Sequence, residues 1–511
     1  MVESNIQKNK RIAKNTLVLY IRMLFLMCIS LYTSRVVLDA LGIDDYGIYN
    51  VVGGFVSLFA LVSSALTGAN SRFLNYEMGK ENNGKLDVVF SSLLTIQVLL
   101  AFVILILCEI IGLWYIKNRM VMPMGRLDAA IWCLHFSIFN FCMDLITVPY
   151  KASIVAHEKM KAFAYVSLFE GLAKLGVCYL IIACNFDRLT FYALLLLVVQ
   201  FIVRLAYQIY CRRYFAECRF KITYDKVLLK QMFAYSGWHL LGNSAVILKK
   251  HGVNVLLNYF FGTVINAANG VANQVLNAVQ GFTQNFMMAL NPQITQSYAK
   301  GNYTYMMGLV CKGAKFSFFI LMLIALPLIL NADYIMHLWL KIVPEYAVRF
   351  VQLSLIVSLI SSFSYTLMTA QNATGNVRNY QIVVGSIQLL DVPLCLLFLG
   401  CGFSPLSVYG IAFFIEICAL FARLYMIPHY IKCFRSSFFV REVVVRCLTV
   451  FSLAVFFSFA LSILVKNFLD LNFFIIDVVL CVFSSTLFIV LLGLEKEEKI
   501  FILNYLRKIK R

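Results

Sequence analysis

The sequence predicts an all-α polytopic membrane protein, with about fourteen transmembrane helices in two six-helix lobes plus two C-terminal helices. The first observation behind this prediction is composition. Of 511 residues, 61% are hydrophobic and only 14% are charged, and the mean hydropathy is +0.82. Soluble domains carry about a quarter charged residues. The second observation is a series of apolar runs of membrane-spanning length, and the third is an internal repeat.

The apolar runs follow one another along the whole chain. A bilayer is crossed by about twenty apolar residues in a helix. The basic first fourteen residues precede a long apolar run from Leu17 without an obvious cleavage site, so this run is interpreted as the first span and not as a signal peptide. The predicted spans lie near residues 15–35, 47–68, 88–112, 129–150, 162–183, 189–211, 232–258, 265–290, 313–338, 346–371, 379–400, 406–428, 444–466 and 473–493.

The basic residues alternate between the two sides of this arrangement. Thirty Lys and Arg fall in segments predicted to be cytoplasmic, and seven fall in the opposite loops. This asymmetry follows the positive-inside rule and places both termini in the cytoplasm. The net charge of +19 is therefore distributed in short loops. Because no nucleic-acid-binding motif accompanies it, we expect no nucleic-acid partner.

Motifs for catalysis or metal binding are missing from the sequence. The fifteen cysteines occur mostly singly within apolar segments, without the spacing of metal ligands. We interpret them as small buried hydrophobic residues. No nucleophile–base pair and no phosphate-binding Walker loop is recognisable, so the sequence predicts a protein that is not an enzyme and has no metal site.

Two halves of the chain resemble each other. The region around Gly42 matches that around Gly262, Tyr76 to Gly79 matches Tyr298 to Gly301, and residues 156–177 lie over 373–394. Parallel repeats of this kind place a substrate site between the halves. The predicted parts are a basic cytoplasmic N-terminus, an N-lobe, a cytoplasmic linker, a C-lobe, a cytoplasmic loop, two further helices and a basic amphipathic tail, at residues 1–14, 15–211, 212–231, 232–428, 429–443, 444–493 and 494–511.

The eighth span carries six amide side chains on one face, within a wedge of about 80° at helical periodicity. They are Asn266, Asn269, Asn273, Asn277, Gln280 and Gln284, which we call the amide stripe. An amide that faces hydrocarbon without a partner costs several kcal/mol. The stripe therefore either lines a polar cavity or makes hydrogen bonds to neighbouring helices, and its size favours the cavity. The repeat matches the stripe to a face in the second span formed by Tyr46, Tyr49, Gly53, Ser57, Ala60 and Ser64.

One passage resembles a known family. Arg35-Val-Val-Leu-Asp-Ala-Leu-Gly42-Ile-Asp-Asp-Tyr46-Gly47-Ile-Tyr49 is similar to the R-x-L-G-x-x-x-Y-G-x-Y region of Wzx-type polysaccharide flippases. These belong to the superfamily of the MATE exporters and lipid II flippases. The likeness in topology, repeat and basic short loops covers nearly the whole chain. At residue level it is specific around 35–53 and weaker around 372–380.

The resemblance implies a MATE-like bundle of two lobes that alternates between inward-open and outward-open states. It implies transport of an undecaprenyl-diphosphate-linked oligosaccharide across the bacterial inner membrane for O-antigen or capsule biosynthesis, with lipids around the protein. Coupling to a proton or sodium ion is expected, and no other cofactor. A polysaccharide polymerase and a chain-length regulator are the expected protein partners. Related lipid II flippases use cavity arginines, including one in the first span, which favours a cavity role for Arg22. Arg35, the arginine of the matched passage, is a second expected cavity residue.

Several cations lie within predicted spans, where charges usually face a cavity or a partner. Arg22 could extend to the headgroups or face a cavity. Lys249 and Lys250, in the outer half of the seventh span, could do the same or bind a diphosphate through charge-assisted hydrogen bonds. The second and eighth spans lack the Lys and Arg that related lipid II flippases have there. A bound diphosphate would then depend on the first and seventh spans, and the amide stripe would bind sugar hydroxyls.

Acidic residues within the spans are candidates for coupling or gating. Glu170 and Lys174 are four residues apart, so they either neutralise each other or form a pair that exchanges a proton during transport. The repeat matches Lys174 to Asp391. Glu416 shares a helix face with Arg423, seven residues later, although Arg423 is near enough to the cytoplasm to extend to the headgroups. Asp144 is an isolated carboxylate.

Two alternative functions stay open. A drug or cation antiporter of the MATE type would rely on acidic cavity residues in twelve helices, and the fourteen predicted spans with basic candidates argue against it. A membrane-embedded polysaccharide polymerase or acyltransferase would have a large outer loop, but the longest one here covers only residues 113–128.

Overall fold

The computed structural model describes residues 2–57, 59–80, 85–120, 122–182, 186–219, 221, 225–340, 343–468, 473–496 and 498–500. These residues are predominantly helical, and no strand occurs among them. The α-helices are α1 (Val2–Ser57), α2 (Ala60–Gly79), α3 (Leu86–Asn118), α4 (Leu127–Ala156), α5 (Met160–Ile182), α6 (Arg188–Tyr214), α7 (Lys226–Ala299), α8 (Tyr303–Leu330), α9 (Ala332–Trp339), α10 (Ala347–Ser362), α11 (Ser364–Thr374), α12 (Arg378–Leu389), α13 (Asp391–Gly400), α14 (Ser407–Tyr430), α15 (Ser436–Phe439), α16 (Arg446–Phe468) and α17 (Phe473–Phe488). A 3₁₀ turn (Ala216–Cys218) and two π-helical segments (Val440–Val445 and Ile489–Gly493) complete them.

The two longest helices are each interrupted by a glycine. The 56-residue α1 contains Gly42 at φ 77° and ψ 172°, and the 74-residue α7 contains Gly262 at φ 78° and ψ −166°. At 1.5 Å per residue a continuous α7 would be about 110 Å long, several times the thickness of a bilayer. Both glycines adopt a backbone conformation that residues with a Cβ rarely enter. Each long helix is therefore two helices joined at a glycine.

The prediction of an all-helical membrane protein is confirmed, and the count of spans agrees roughly. Among the described residues, 11 helices are long and apolar enough to cross a membrane, or 12 if α10 and α11 form one bent span. In that count α7 is a single span, although Gly262 divides it. The helix that follows Gly42 and continues towards α2 is not included either. These two places explain why the predicted fourteen exceeds the count.

The chain forms two compact units. Unit 1 contains residues 1–243 and 295–301, and unit 2 contains residues 244–294 and 302–511. In unit 1, α4 packs against α3 and α6, and α1 packs against α5. In unit 2, α14 packs against α10 and α12, and α17 packs against both α16 and α8.

Segments of unit 1 that the charge pattern assigns to one side of the membrane lie together. Arg11 forms an ion pair with Glu158, and the Asn15 amide donates a hydrogen bond to the Glu158 carbonyl at 3.2 Å. Lys221 of the linker pairs with Asp87 at 3.0 Å. The His157 ring contacts the Glu217 carboxylate.

The opposite side of unit 1 has its own cluster. Arg126 pairs with both Asp45 and Asp187, and the Arg188 guanidinium donates to the Ala40 carbonyl at 3.0 Å. Within unit 1, the loops therefore segregate to two ends as the charge asymmetry predicts.

In unit 2, segments that the charge pattern assigns to one side of the membrane also lie together. Lys315 of α8 pairs with Glu498 at 2.7 Å and with Glu495 at 3.2 Å, and Arg446 links Glu442 at 3.3 Å to Glu495 at 3.4 Å. These residues come from three stretches of chain that the sequence assigns to one side. Of the predicted amphipathic tail at 494–511, residues 501–511 lie outside the described part of the chain.

The matched ends of the two repeats meet in unit 1. The Tyr76 and Tyr298 rings lie 6.4 Å apart between centroids. Gly79 approaches the helix end so closely that a Cβ there would lie 2.5 Å from the Ala299 Cβ. The repeat positions are thus structurally equivalent at Gly42 and Gly262, and in contact at their C-terminal ends.

Candidate functional site: polar and charged groups within the spans

The amide stripe divides into bonded and accessible members. Asn269 is buried, while Asn266, Asn273 and Gln280 are half-buried, and Asn277 and Gln284 are exposed. Helical periodicity alone places all six on one face, and differences in packing along α7 decide how accessible each one is.

Two amides of the stripe connect α7 to its neighbours in unit 2. The Asn269 side chain donates to the side-chain amide oxygen of Asn254 and accepts a hydrogen bond from the Tyr409 hydroxyl at 2.7 Å. Gln280 donates to the Ser358 hydroxyl at 2.9 Å. These contacts correspond to the interhelical bonding that was the alternative to a cavity. The Asn273 amide donates at 2.9 Å to the backbone carbonyl of Asn269, one turn earlier.

The matching tyrosines in α1 belong to an aromatic group of unit 1. The Tyr49 ring meets the Tyr192 ring of α6 edge-on, with centroids 5.0 Å apart. Tyr46, one turn before Tyr49, is half-buried. Arg35 precedes them in α1, and its side chain lies outside the described part of the chain.

Arg22 lies deep in α1. Arg11, which pairs with Glu158 at one end of unit 1, lies eleven residues earlier in the chain. Arg22 is therefore about 16 Å further along the helix than Arg11. Its guanidinium lies over the Phe163 ring, 4.6 Å from the centroid, and its buried Nε has no hydrogen-bond partner among the described residues. Glu170 and Tyr207 are close enough to interact with it electrostatically. Arg22 is therefore half-buried against an aromatic ring.

The two coupling candidates of unit 1, Asp144 and Glu170, both have lysine partners. The Lys174 ammonium donates to Glu170 at 2.6 Å, as their spacing predicts. Lys151 donates to Asp144 at 2.7 Å, and the buried Gln200 donates to the same oxygen at 3.3 Å.

The structure places Lys151 in a helix, whereas the sequence assigns it to a loop. The charge pattern counts it among cytoplasmic loop residues, but α4 continues to Ala156 and the Lys151 side chain turns back two helical turns towards Asp144. This direction leads away from the helix end near His157. Lys151 therefore lies within a candidate membrane span and pairs with Asp144, which sequence reasoning missed. Only its helical spacing to Asp144 could have revealed it.

Arg204 of α6 completes this group, with its Nη1 3.0 Å from the Met143 sulfur. We call the set the unit 1 charge cluster. It has four cations and two carboxylates, which gives a net positive charge, and its members are Arg22, Asp144, Lys151, Glu170, Lys174 and Arg204.

Arg72 is a second cation that the sequence places in a loop and the structure places within a helix. It lies in α2, with its guanidinium 4.6 Å from the centroids of both the Phe73 and Tyr76 rings and 5.6 Å from that of Tyr235. Stacking on aromatic faces stabilises a guanidinium in partly dehydrated surroundings. In the sequence, the aromatic residues Phe73 and Tyr76, one helical turn apart, could have indicated that Arg72 lies in a helix beside aromatic rings.

Unit 2 contains a charge group of opposite sign. The Lys249 ammonium lies 3.0 Å from the fully buried Asp391 carboxylate and 3.5 Å from Glu416. Gln388 connects the group, because it accepts a hydrogen bond from Lys249 at 2.9 Å and donates one to Glu416 at 2.9 Å. The Cys395 thiol donates to Asp391 at 3.3 Å. One ammonium thus faces two carboxylates, and we call this set the Lys249 triad.

The neighbouring cations of unit 2 behave differently. Lys250 is exposed and makes no ion pair with any residue that the structure describes. Arg423, which could reach the cytoplasmic headgroups by its position, is instead buried and donates to the Tyr380 hydroxyl at 3.1 Å and to the Ser364 hydroxyl at 3.0 Å.

Comparison with known proteins gives a family match for part of the chain and structural matches for most of it. Residues 248–397 match the MatE family, and this range contains Lys249, the amide stripe and Asp391. No curated protein is similar enough in sequence to count as a match.

Solved structures of transporters have the same fold. A MATE protein in its bent conformation gives a TM-score of 0.71 at 13% identity, covering 83% of this chain and 96% of that one. The Vibrio cholerae MATE transporter VcmN gives 0.69 at 15% identity, with 84% and 99% covered. A MOP superfamily transporter from Pyrococcus furiosus, described as having a binding pocket of reverse polarity, gives 0.67 at 12% identity, with 83% and 96% covered. Residues 248–397 therefore resemble the MatE family, and the chain has the same fold as these solved transporter structures.

Proposed function

We propose that this protein is a flippase that moves an undecaprenyl-diphosphate-linked oligosaccharide from the cytoplasmic to the outer leaflet of the bacterial inner membrane. In this proposal it works by alternating access in surface polysaccharide biosynthesis, beside a polysaccharide polymerase and a chain-length regulator. The observation that carries the proposal is the unit 1 charge cluster. It holds four cations against two carboxylates inside membrane-spanning helices.

An anionic headgroup explains why an excess of positive charge is kept in the membrane. An unneutralised cation there is costly, so it normally marks a site where a partner binds. Arg22 lies about 16 Å along α1 from Arg11, and Lys151 points away from its own helix end. A diphosphate would supply the missing negative charges, and a guanidinium binds phosphate oxygens through two parallel hydrogen bonds.

The accessible amides of α7 suit the carbohydrate part of this substrate. Asn277 and Gln284 are exposed, and Asn273 is half-buried. Each amide offers both donors and acceptors, as sugar hydroxyls require. Asn269 and Gln280 hold α7 to its neighbours and set the orientation of this face.

The Lys249 triad is the proposed coupling site. With one ammonium and two carboxylates it has one negative charge in excess, and binding of a proton or a sodium ion would neutralise it. Loading and release of that ion would change the hydrogen bonds of Gln388, which joins α12 to α7 and α14.

The same triad favours a second candidate function, export of a cationic compound in exchange for an ion. MatE similarity and the fold support this alternative as well as they support a flippase. The two functions differ in the sign of the charge that the substrate carries. A cationic drug would be repelled by the unit 1 charge cluster, whereas a diphosphate would be attracted to it.

The deciding experiment measures the sidedness of lipid-linked glycans in cells lacking the protein. Loss of surface glycan, with the lipid-linked repeat unit held in the cytoplasmic leaflet, is the result expected for a flippase. Normal surface glycan with increased sensitivity to cationic drugs would overturn the proposal in favour of the antiporter.

Complementation with variants connects the result to the charge cluster. Arg22→Ala should lose flipping, and Arg22→Lys should recover part of it because the charge is kept. Lys161→Ala is the matched control, because Lys161 is exposed in the first turn of α5, outside the cluster. Unchanged flipping by a correctly inserted Arg22→Ala protein would exclude the proposed role of this cation.

A further inference from the structure

A cleft in unit 2, separate from the groups described above, has the features of an anion site. It has a volume of about 400 Å³ and lies between the first half of α8, the segment from Cys433 to Val443, and Glu495. These three stretches all fall on the side that the positive-inside pattern assigns to the cytoplasm. Clefts of this volume accommodate small molecules and headgroups.

The carboxylates that line the cleft are already paired. Glu495 contacts Lys315, whose side chain is only 2% exposed, and also Arg446. Glu442 pairs with Arg446 at 3.3 Å. Lys315 also pairs with Glu498, so two cations are shared by three carboxylates and this group carries one negative charge in excess.

Two lining cations are left over. Lys312 of α8 and Arg435, which precedes α15, make no ion pair or hydrogen bond with any described residue. Lys312 is half-buried and Arg435 is exposed, so both can reach a ligand in the cleft. Lys312 and Arg435 add two positive charges against the one carboxylate in excess, so the cleft presents a net positive charge to whatever enters it.

The wall beside these cations is apolar. Phe438 is 56% exposed and lines the cleft together with Met307. A water-soluble anion gains nothing from a large exposed aromatic ring, whereas a lipid places its headgroup on cations and its first acyl carbons on an apolar surface. This combination distinguishes a lipid from free phosphate.

We propose that this cleft binds the phosphate-bearing headgroup of an anionic phospholipid of the cytoplasmic leaflet. Lys312 and Arg435 contact the phosphate, and Phe438 contacts the start of the acyl chains. The bound lipid links α8 to the segment before α16 and so holds these parts of unit 2 together. This site does not depend on the transported substrate.

The test uses the purified full-length protein in nanodiscs of phosphatidylethanolamine, with or without phosphatidylglycerol. Native mass spectrometry counts retained phosphatidylglycerol, and thermal unfolding measures the stabilisation it provides. The double variant Lys312→Gln, Arg435→Gln should bind phosphatidylglycerol roughly thirty-fold more weakly and lose the lipid-dependent stabilisation, since each cation near an anionic lipid adds a factor of about five.

Two further variants make the result specific. Lys432→Gln removes an exposed cation close to Arg435 that does not line the cleft, and it should bind phosphatidylglycerol like the unmodified protein. Lys312→Arg, Arg435→Lys keeps both charges and should retain most of the binding. It also separates loss of the site from misfolding of the neutral variant.

Three outcomes would overturn the proposal. Equal retention of phosphatidylglycerol by the neutral double variant would remove the site, and equal stabilisation by phosphatidylethanolamine alone would remove the preference for an anion. Stabilisation by inorganic phosphate in detergent to the same degree as by phosphatidylglycerol would assign the cleft to a free anion.

Discussion

Gly42 and Gly262 interrupt two long helices with nearly the same backbone angles, φ 77° and φ 78°, although 220 residues separate them. The same pair aligns in the sequence repeat. A helix that must turn at a defined position needs a residue that tolerates positive φ, and glycine does so without strain. The repeat is therefore preserved in the backbone at the points where each half begins its second helix.

Substitution of these two glycines by alanine should destabilise the protein through the backbone alone. Neither Gly42 nor Gly262 has any atom within 4 Å of the position of an added Cβ, so no steric clash accompanies the change. The strain of positive φ should cost about 1–2 kcal/mol at each site. Thermal unfolding in detergent should show a lower midpoint for Gly42→Ala and for Gly262→Ala.

Helical glycines provide the control for this prediction. Gly53 in α1 and Gly270 in α7 are equally open but have ordinary helical angles. Alanine there should leave the midpoint unchanged or raise it, because alanine has the higher helix propensity. A loss of equal size at all four positions would contradict the argument.

The sequence was informative about the fold wherever one pattern was sufficient. Apolar length predicted the helices, loop charge predicted which segments lie together at each end, and the repeat identified the equivalent glycines. Boundaries were less well predicted. The predicted fourth span ends at residue 150 but α4 continues to Ala156, and this difference hides the cation at Lys151.

The candidate site was less predictable because its contacts join distant helices. Glu170 with Lys174 was readable, since four residues make one helical turn. The partners of Lys249 could not be predicted from the sequence. Asp391 and Glu416 are more than 140 residues away, and only tertiary packing brings them to Lys249. Periodicity shows which face a residue lies on, but not which helix packs against that face.

The Lys249 triad should contribute strongly to stability. Lys249→Met leaves the buried Asp391 carboxylate without its cation and should cost about 3–5 kcal/mol. Lys250→Met, which removes an exposed neighbour without an ion pair among the described residues, should change the free energy of unfolding by less than about 0.5 kcal/mol. Denaturant titration in detergent measures both values.

The double variant Lys249→Met, Asp391→Asn tests whether the charge is the cause. Removal of both charges should restore most of the stability lost in Lys249→Met, since no uncompensated carboxylate stays buried at that position. An additive loss would show that packing, and not pairing, explains the effect.

The amide stripe should separate into structural and transport residues. Asn269→Leu removes two side-chain hydrogen bonds in a buried position and should destabilise the protein by about 1–3 kcal/mol. Asn277→Leu and Gln284→Leu change exposed side chains and should preserve stability while flipping falls. Unfolding midpoints and the sidedness assay, applied to the same variants, distinguish the two classes. Wild-type flipping by a stable Asn277→Leu, Gln284→Leu protein would contradict a sugar-binding role.

The contact between Lys315 and Glu495 should make stability depend on pH in the acid range. Burial acts to raise the pKa of Glu495, but the charge of Lys315 and its hydrogen bond at 3.2 Å outweigh it, so the pKa lies below its ordinary value. A carboxyl with a lowered pKa in the folded state stabilises the protein above the pKa of the unfolded chain, about 4.3, and the contribution is lost as the pH falls through the folded-state pKa. The unmodified protein should therefore unfold at a higher temperature than Glu495→Gln between pH 5 and 7 by a constant margin, which should shrink below about pH 4.

Glu345→Gln is the matched control for this measurement, because Glu345 is exposed and makes no ion pair with any residue that the structure describes. Its unfolding temperature should follow that of the unmodified protein throughout the titration. A margin for Glu495→Gln that widens on acidification would mean that the carboxyl is stabilised in its protonated form and that Lys315 is neutralised by Glu498 alone. In that case Glu498→Gln, and not Glu495→Gln, would account for the loss of stability, since Glu498 lies closer to the ammonium, at 2.7 Å.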